Sequence, residues 1–329
     1  MRLRTAVIGV GYLGRHHARI LASLPDVELV AVVDRNAARA EEIAATAGTK
    51  ALTDASELLG RVDAVTIAAP TELHHQLAMP FLNAGVSVLV EKPMARSLVE
   101  ADEMIAAAAK TGAVLAVGHT ERFNPAVDRA RTVVRDPRFI EVHRLGTFPE
   151  RSLDIDVVFD LMIHDLDVVL SLVDAEVESI EAVGIPVLTP RVDIANARLR
   201  FTNGCIANLT ASRISRDRVR KIRFFQPASY VSVDYAAQKL EMWQLTFDGG
   251  TKPTIQGGDV PVTQEEPLKR ELQDFVDAVA HHRQPGVTGQ QGRRALALAQ
   301  AITERMPAEA FTQHALAAAL ASQGIPSFG

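Results

Sequence analysis

The chain has 329 residues, beyond the roughly 250–300 at which a single hydrophobic core stops growing, so two domains are expected. Apolar residues make up 47% and charged residues 23%, while an aromatic share of 5% and a net charge of −5 argue against a nucleic-acid partner. No run approaches the ~18 apolar residues of a membrane span or forms a secretory h-region, and the single Cys205 reads as a small buried strand residue, so a cytoplasmic location is expected.

Taken in order, residues 3–9 and 28–34 are β-branched apolar runs flanking a helix that Pro25 ends. A helix over 36–47 follows. Then come a strand (62–69), a helix (72–84), a strand (87–90), a helix (97–111) and a strand (113–117). Strands alternating with helices predict a doubly wound parallel sheet. The rhythm stops near residue 120, and a helix over 124–135 leads into a different pattern. The runs 139–147, 177–188, 194–201, 205–211, 219–225, 230–235 and 239–245 read as strands. Ala195, Ala197, Leu199 and Phe201 fall on one face and Asn196, Arg198 and Arg200 on the other, the mark of an antiparallel sheet with one covered face. Helices are expected over 266–282 and 289–304, with one more near 310–322. The fold class is therefore α/β. A Rossmann domain over 1–121 precedes a domain over 122–329 carrying a large, mostly antiparallel sheet.

Gly9-Val10-Gly11-Tyr12-Leu13-Gly14 matches G-x-G-x-x-G, a weak pattern alone. Here it closes a strand, opens a helix and precedes Asp34 at the end of the next strand by 20 residues. Gly9 permits the tight turn, Gly11 the approach of a pyrophosphate, and Gly14 close helix–strand packing. The helix N-terminus offers N–H groups to the diphosphate. Asp34 accepts from ribose hydroxyls and repels a 2′-phosphate, which favours NAD over NADP, although Arg35 leaves NADP open.

The strand ending Val90-Glu91-Lys92-Pro93-Met94 aims Lys92 at the crevice outside the strands' carboxyl ends. A polar surface lysine would look the same in isolation. The stretch 154–174 is apolar nearly all round, hence a buried helix, yet holds Asp160, His164, Asp165 and Asp167. Residues 160, 164 and 167 share one stripe. A self-satisfied Asp–His pair is the bland account; proton transfer beside a nicotinamide is the functional one, and no metal is assigned.

These motifs together carry a resemblance. VIGVGYLGRHHA (7–18), AAPTELHH (68–75), VEKPMA (90–95), GHTERFNP (118–125), DLMIHDLD (160–167) and VTGQQGRRALALAQAI (287–302) resemble, in order and over nearly the whole chain, the glucose-fructose oxidoreductase / inositol dehydrogenase / rhizopine-catabolism (Gfo/Idh/MocA) family. The resemblance implies an NAD(P)-dependent oxidoreductase acting on CH–OH groups, forming a homodimer or homotetramer through its C-terminal sheet. It implies Lys92 and His164 as alternative proton acceptors, with Asp160 fixing the His164 tautomer. It also places Tyr12, Leu13, Arg35, Pro70, Thr71, His74 and Glu91, with Lys92, among cofactor contacts. Arg122 and Asn124, at the domain junction, are added as substrate contacts beside Lys92, Asp160 and His164.

The family's substrates are sugars, cyclitols and sugar nucleotides. The stretch 213–223 packs six cations against one Asp and would suit a diphosphate, or else a solvated face paired to acids. The helix near 155–172 is similar to that of the UDP-N-acetylglucosamine 3-dehydrogenases, whose 3-keto product is aminated for lipid A. Oxidation of UDP-N-acetylglucosamine is thus the leading expectation. An inositol or free-sugar dehydrogenase, an NAD-dependent glycosidase and a non-catalytic NAD-binding regulator are the alternatives.

Overall fold

A computed structural model describes residues 2–148, 155–247, 252–306 and 322. In chain order, β1 (Leu3–Ile8), α1 (Gly14–Ser23), β2 (Val27–Val33), α2 (Ala37–Ala47), β3 (Lys50–Leu52), β4 (Ala64–Ile67), α3 (His74–Asn83), β5 (Ser87–Glu91), α4 (Leu98–Thr111) and β6 (Leu115–Gly118) come first. They are followed by α5 (Pro125–Arg131), β7 (Phe139–Leu145), α6 (Ile163–Leu172), β8 (Val177–Ile185), β9 (Ile194–Phe201), β10 (Ile206–Ser212), β11 (Val219–Gln226) and β12 (Ser229–Asp234). The remainder is β13 (Lys239–Thr246), β14 (Thr254–Val260), α7 (Pro267–Ala280) and α8 (Gly289–Glu304).

The first compact unit comprises Met1–Phe123 and Glu265–Leu296. Its sheet runs β3-β2-β1-β4-β5-β6, and all its pairings are parallel. Helices cover both faces, which is why β4 and β5 are buried at every position instead of alternating. The strand order reverses between β1 and β4, and at such a switch point the crevice beyond the strand ends takes ligands. Local chemistry sets the helix starts: Asn36 accepts from Arg39 N at the head of α2, and Ser97 caps α4 through Glu100 N.

The second unit comprises Asn124–Gln264 and the stretch from Ala297. Its eight-stranded sheet runs β14-β13-β12-β11-β7-β10-β9-β8, antiparallel except where β7 pairs with β10. One face carries Ile140, Val142, Leu209, Ile222 and Phe224, all buried. Among them Arg144 on β7 grips Asp165 of α6 through two bonds of 2.6 and 2.9 Å. The other face is polar over β9 and β10, where Arg198 donates to Asn208 at 3.2 Å and Asn196 to Thr210 at 2.9 Å, and carries exposed Phe225, Trp243 and Leu245 on β11 and β13. The alternation along β9 runs as its sequence requires, with Ala195, Ala197, Leu199 and Phe201 buried and the residues between them exposed or half-buried.

Three features depart from the sequence reading, and a further one bears on an alternative that it left open. The region 265–296 belongs to the first unit, not to the C-terminal domain drawn from residue 122 onward. Its reason is apolar burial: Leu268, Leu272, Phe275 and Val276 of α7 share a core with Val7, Ile20, Leu21 and Ala116. The edge strands β3 and β14 were not foreseen. β3 is three residues long, and β14 contains Gly257, where a Cβ would stand 2.0 Å from Met242 O, so the glycine is there to let two backbones approach. The cationic stretch is largely committed. Arg213 pairs with buried Asp193, Lys221 with Asp234 and Arg223 with Glu141, while Arg218 reaches Thr147, the pattern of a strand face paired to acids. Lastly, residues 158–162 form a π-helical turn ahead of α6. The helix expected near 310–322 lies outside the described residues apart from 322.

Candidate active site

The glycine turn is built where the sequence places it. Gly9 has φ +84°, and a Cβ there would lie 2.8 Å from Ala68 O, so both conformation and space exclude a side chain. A Cβ on Gly14 would stand 1.8 Å from Gly9 O, which makes glycine the condition for seating α1 on the turn. At Gly11, among the described residues, nothing beyond the chain neighbours lies within 4 Å of that point. The first turn of α1 carries no acid and no side-chain cap. An open concavity at the positive end of a helix fits a dinucleotide diphosphate. Tyr12 is exposed, with the Arg15 guanidinium 4.9 Å from its ring centroid, whereas the side chain of Leu13 packs against the core.

Asp34 stands at the end of β2. Its carboxylate accepts from Val10 N at 3.1 Å and Asn36 N at 2.9 Å, with Arg39 at 3.9 Å and the exposed Arg35 adjacent in the chain. These bonds tie the carboxylate to the glycine turn while leaving it half-buried at the crevice rim.

Two loops beyond β4 and β5 form the neighbouring wall. After β4, exposed Pro70 and half-buried Thr71 begin a short 3-10 turn leading into α3. After β5, Lys92 is half-buried and joined to Pro93 by a cis peptide bond. His74 is buried between the loops: Nε2 lies 2.8 Å from Ala69 O and Nδ1 2.9 Å from Pro93 O. Burial pushes the ring below its ordinary pKa, against the two carbonyls and nearby acids that favour the cation. Both nitrogens of the His74 ring are thus turned to the protein's own main chain. Glu91 is likewise internal. Its Oε1 meets His17 Nε2 at 3.1 Å and its Oε2 accepts from Lys92 N at 3.3 Å. The absent side chain of Gly118 makes that room, since a Cβ there would stand 2.7 Å from the Glu91 carboxylate. His17 was missed as a site residue. The available signal was a histidine on the buried stripe of α1 beside Ala18 and Leu21.

Asp160 sits in the π-helical turn and His164 on α6, both half-buried, in the second unit. π-turns of this kind are rare and occur often at functional sites. Of the other two acids on this helix, Asp165 is consumed by Arg144 and Asp167 is buried. Arg122 is 6% exposed within the 3-10 turn Thr120–Phe123 of the first unit. Asn124 is a helix cap: its Oδ1 accepts from Ala126 N at 3.1 Å and its Nδ2 donates to Tyr235 O at 3.0 Å. An amide engaged at both ends has a structural duty, so the substrate contact expected of Asn124 is not supported.

Comparison with known proteins agrees with the fold. The model of the GFO_IDH_MocA oxidoreductase family with an NAD-binding Rossmann fold matches residues 3–119, and that of the GFO/IDH/MocA C-terminal domain matches residues 126–225. UDP-N-acetylglucosamine 3-dehydrogenase of Acidithiobacillus ferrooxidans is 41% identical over 317 residues, covering 95% of this chain and 99% of that one. A solved structure of that enzyme superposes with a TM-score of 0.87 at 40% identity, over 94% of this chain and 99% of the other. Inositol 2-dehydrogenase of Rhizobium meliloti is 28% identical over 92% of this chain and 96% of its own length. With both of its domains matched and a near-full-length relative at this identity, the chain belongs to the Gfo/Idh/MocA family of oxidoreductases.

Proposed function

We propose that this protein is an NAD-dependent dehydrogenase that oxidises the 3-hydroxyl of UDP-N-acetylglucosamine to the ketone. The observation that carries the substrate is the 41% identity over 95% of the chain to an enzyme of that name, against 28% to an inositol 2-dehydrogenase. In this reading Gly9, Gly11 and Gly14 with the N-terminus of α1 hold the diphosphate, Asp34 holds the adenosine ribose, and Tyr12, Pro70 and Thr71 flank the dinucleotide. Asp34 favours NAD, because a 2′-phosphate beside its carboxylate would be repelled. NAD, when bound, supplies the hydride acceptor.

As hydride leaves the ring carbon, the attached hydroxyl must lose its proton. Lys92, at the crevice end of β5, or His164 on α6 takes it, and Asp160 fixes the His164 tautomer. Arg122 contributes positive charge to substrate binding. The enzyme works in the cytoplasm as a homodimer or homotetramer, a state supported by exposed Phe225, Trp243 and Leu245 on the sheet of the second unit. Its product is the kind of ketone an aminotransferase consumes in lipid A synthesis.

The test is NADH formation with UDP-N-acetylglucosamine, inositols and free hexoses side by side. Turnover with the sugar nucleotide is expected; turnover with an inositol alone would overturn the substrate, and product without NADH release would indicate a glycosidase. Lys92→Met should leave NAD affinity intact while kcat falls by orders of magnitude, and retained turnover would remove Lys92 from the chemistry.

A further inference from the structure

The Lys92 loop is held from two directions by buried polar groups. Ahead of it, the main-chain N–H of Lys92 is donated to Glu91 Oε2 at 3.3 Å. Glu91 is itself fixed by His17 at 3.1 Å, both side chains being almost wholly buried. Behind it, Pro93 O lies 2.9 Å from His74 Nδ1. The opposite nitrogen of the same ring lies 2.8 Å from Ala69 O, at the end of the loop that also packs on Gly9. A half-buried lysine is thus flanked on both sides by main-chain groups anchored in the interior. A neutral imidazole has one N–H, yet both neighbours are acceptors, so the ring can donate fully to only one carbonyl at a time. Apolar packing alone would not call for a histidine there.

We infer that His74 is a positioning residue: through Pro93 O it sets the direction from which Lys92 meets the reacting hydroxyl. The inference rests on the assignment of Lys92 to proton transfer. Misplacement of a reacting group by about 1 Å can cost on the order of a hundredfold in rate, so a modest shift of this loop is enough to be measured.

The test compares His74→Asn, His74→Gln and His74→Phe in kcat, in KM for UDP-N-acetylglucosamine, and in Kd for NAD by calorimetry. Asparagine places its amide near the Nδ1 position and keeps the bond to Pro93 O; glutamine places it near Nε2 and keeps only the bond to Ala69 O. We expect kcat to fall at least tenfold in His74→Phe and His74→Gln, to be substantially restored in His74→Asn, and Kd for NAD to stay within threefold throughout. In a Lys92→Met background His74→Phe should add little further loss, because the group it positions is gone. Wild-type kcat in His74→Phe, a loss of NAD affinity matching the loss of kcat, or better function of Gln than Asn would each overturn the inference. If His74→Phe does not fold, the Asn and Gln variants decide. Turnover retained in Lys92→Met would instead overturn the underlying assignment, whatever the His74 variants do.

Discussion

Gly11 and Gly14 lie three residues apart in one turn, and the structure predicts opposite consequences for the same methyl group. At Gly11 an added Cβ meets no heavy atom within 4 Å among the described residues beyond its chain neighbours, so Gly11→Ala should fold normally and gain about 0.4–1 kcal/mol from a stiffer unfolded chain. In the proposed reading the space it fills is where the dinucleotide diphosphate approaches, so affinity for NAD should weaken by about 10–100-fold, or about 1.4–2.7 kcal/mol. At Gly14 the Cβ would stand 1.8 Å from Gly9 O and 2.9 Å from Gly9 C, both backbone atoms that no rotamer change can move. Normal contact would require α1 to back away by more than about 1 Å, an overpacking cost of about 1–3 kcal/mol before any ligand is added. Thermal unfolding of the ligand-free variants, with calorimetric titration of NAD, separates the two. Gly11→Ala should lose only affinity, and Gly14→Ala both stability and affinity. An NAD Kd within threefold of wild type in Gly11→Ala would refute the placement of the diphosphate over this residue.

Three further outcomes follow from the packing and the charges. Asp193 is fully buried and accepts from the backbone N–H groups of Val187, Leu188 and Thr189 as well as from Arg213, so Asp193→Ala strands a buried guanidinium. The cost should be about 3–5 kcal/mol, lowering Tm on the order of 10 °C, and a shift under 2 °C would contradict it. Burial opposes its charge, but those donors outweigh burial and hold its carboxyl below the usual range. A folded-state value below the unfolded one means that this stabilisation is complete above about pH 4 and is lost as pH falls through the folded value, so Asp193→Asn should flatten the acid limb of a Tm–pH curve. For the cofactor, Asp34→Asn removes the charge facing a 2′-phosphate while keeping an acceptor for Val10 N. The ratio of kcat/KM for NAD over NADP should fall at least tenfold, and an unchanged ratio would move the discrimination elsewhere.

Much of the molecule was legible from local pattern. The glycine turn and Asp34 lie within 34 residues, where conformation is imposed by the turn itself, so cradle and acid were readable together. The alternation on β9 and the largely apolar, non-alternating stretches of β4 and β5 likewise state how many faces of each strand are covered. What sequence order concealed was long-range return. α7 is an ordinary amphipathic helix until its apolar face finds the core of the first unit, nearly 150 residues after that unit's first segment ends. Asn124 looks like a ligand donor until Ala126 N and Tyr235 O are seen to claim its amide. The family resemblance implies His74 and Glu91 as cofactor contacts, yet their side chains turn inward to carbonyls and to His17. Periodicity assigns a residue to an element, and composition says what that element must bury. Only the tertiary structure decides which polar groups are committed to one another, because a buried hydrogen bond is a pairing between segments whose distance along the chain carries no signal.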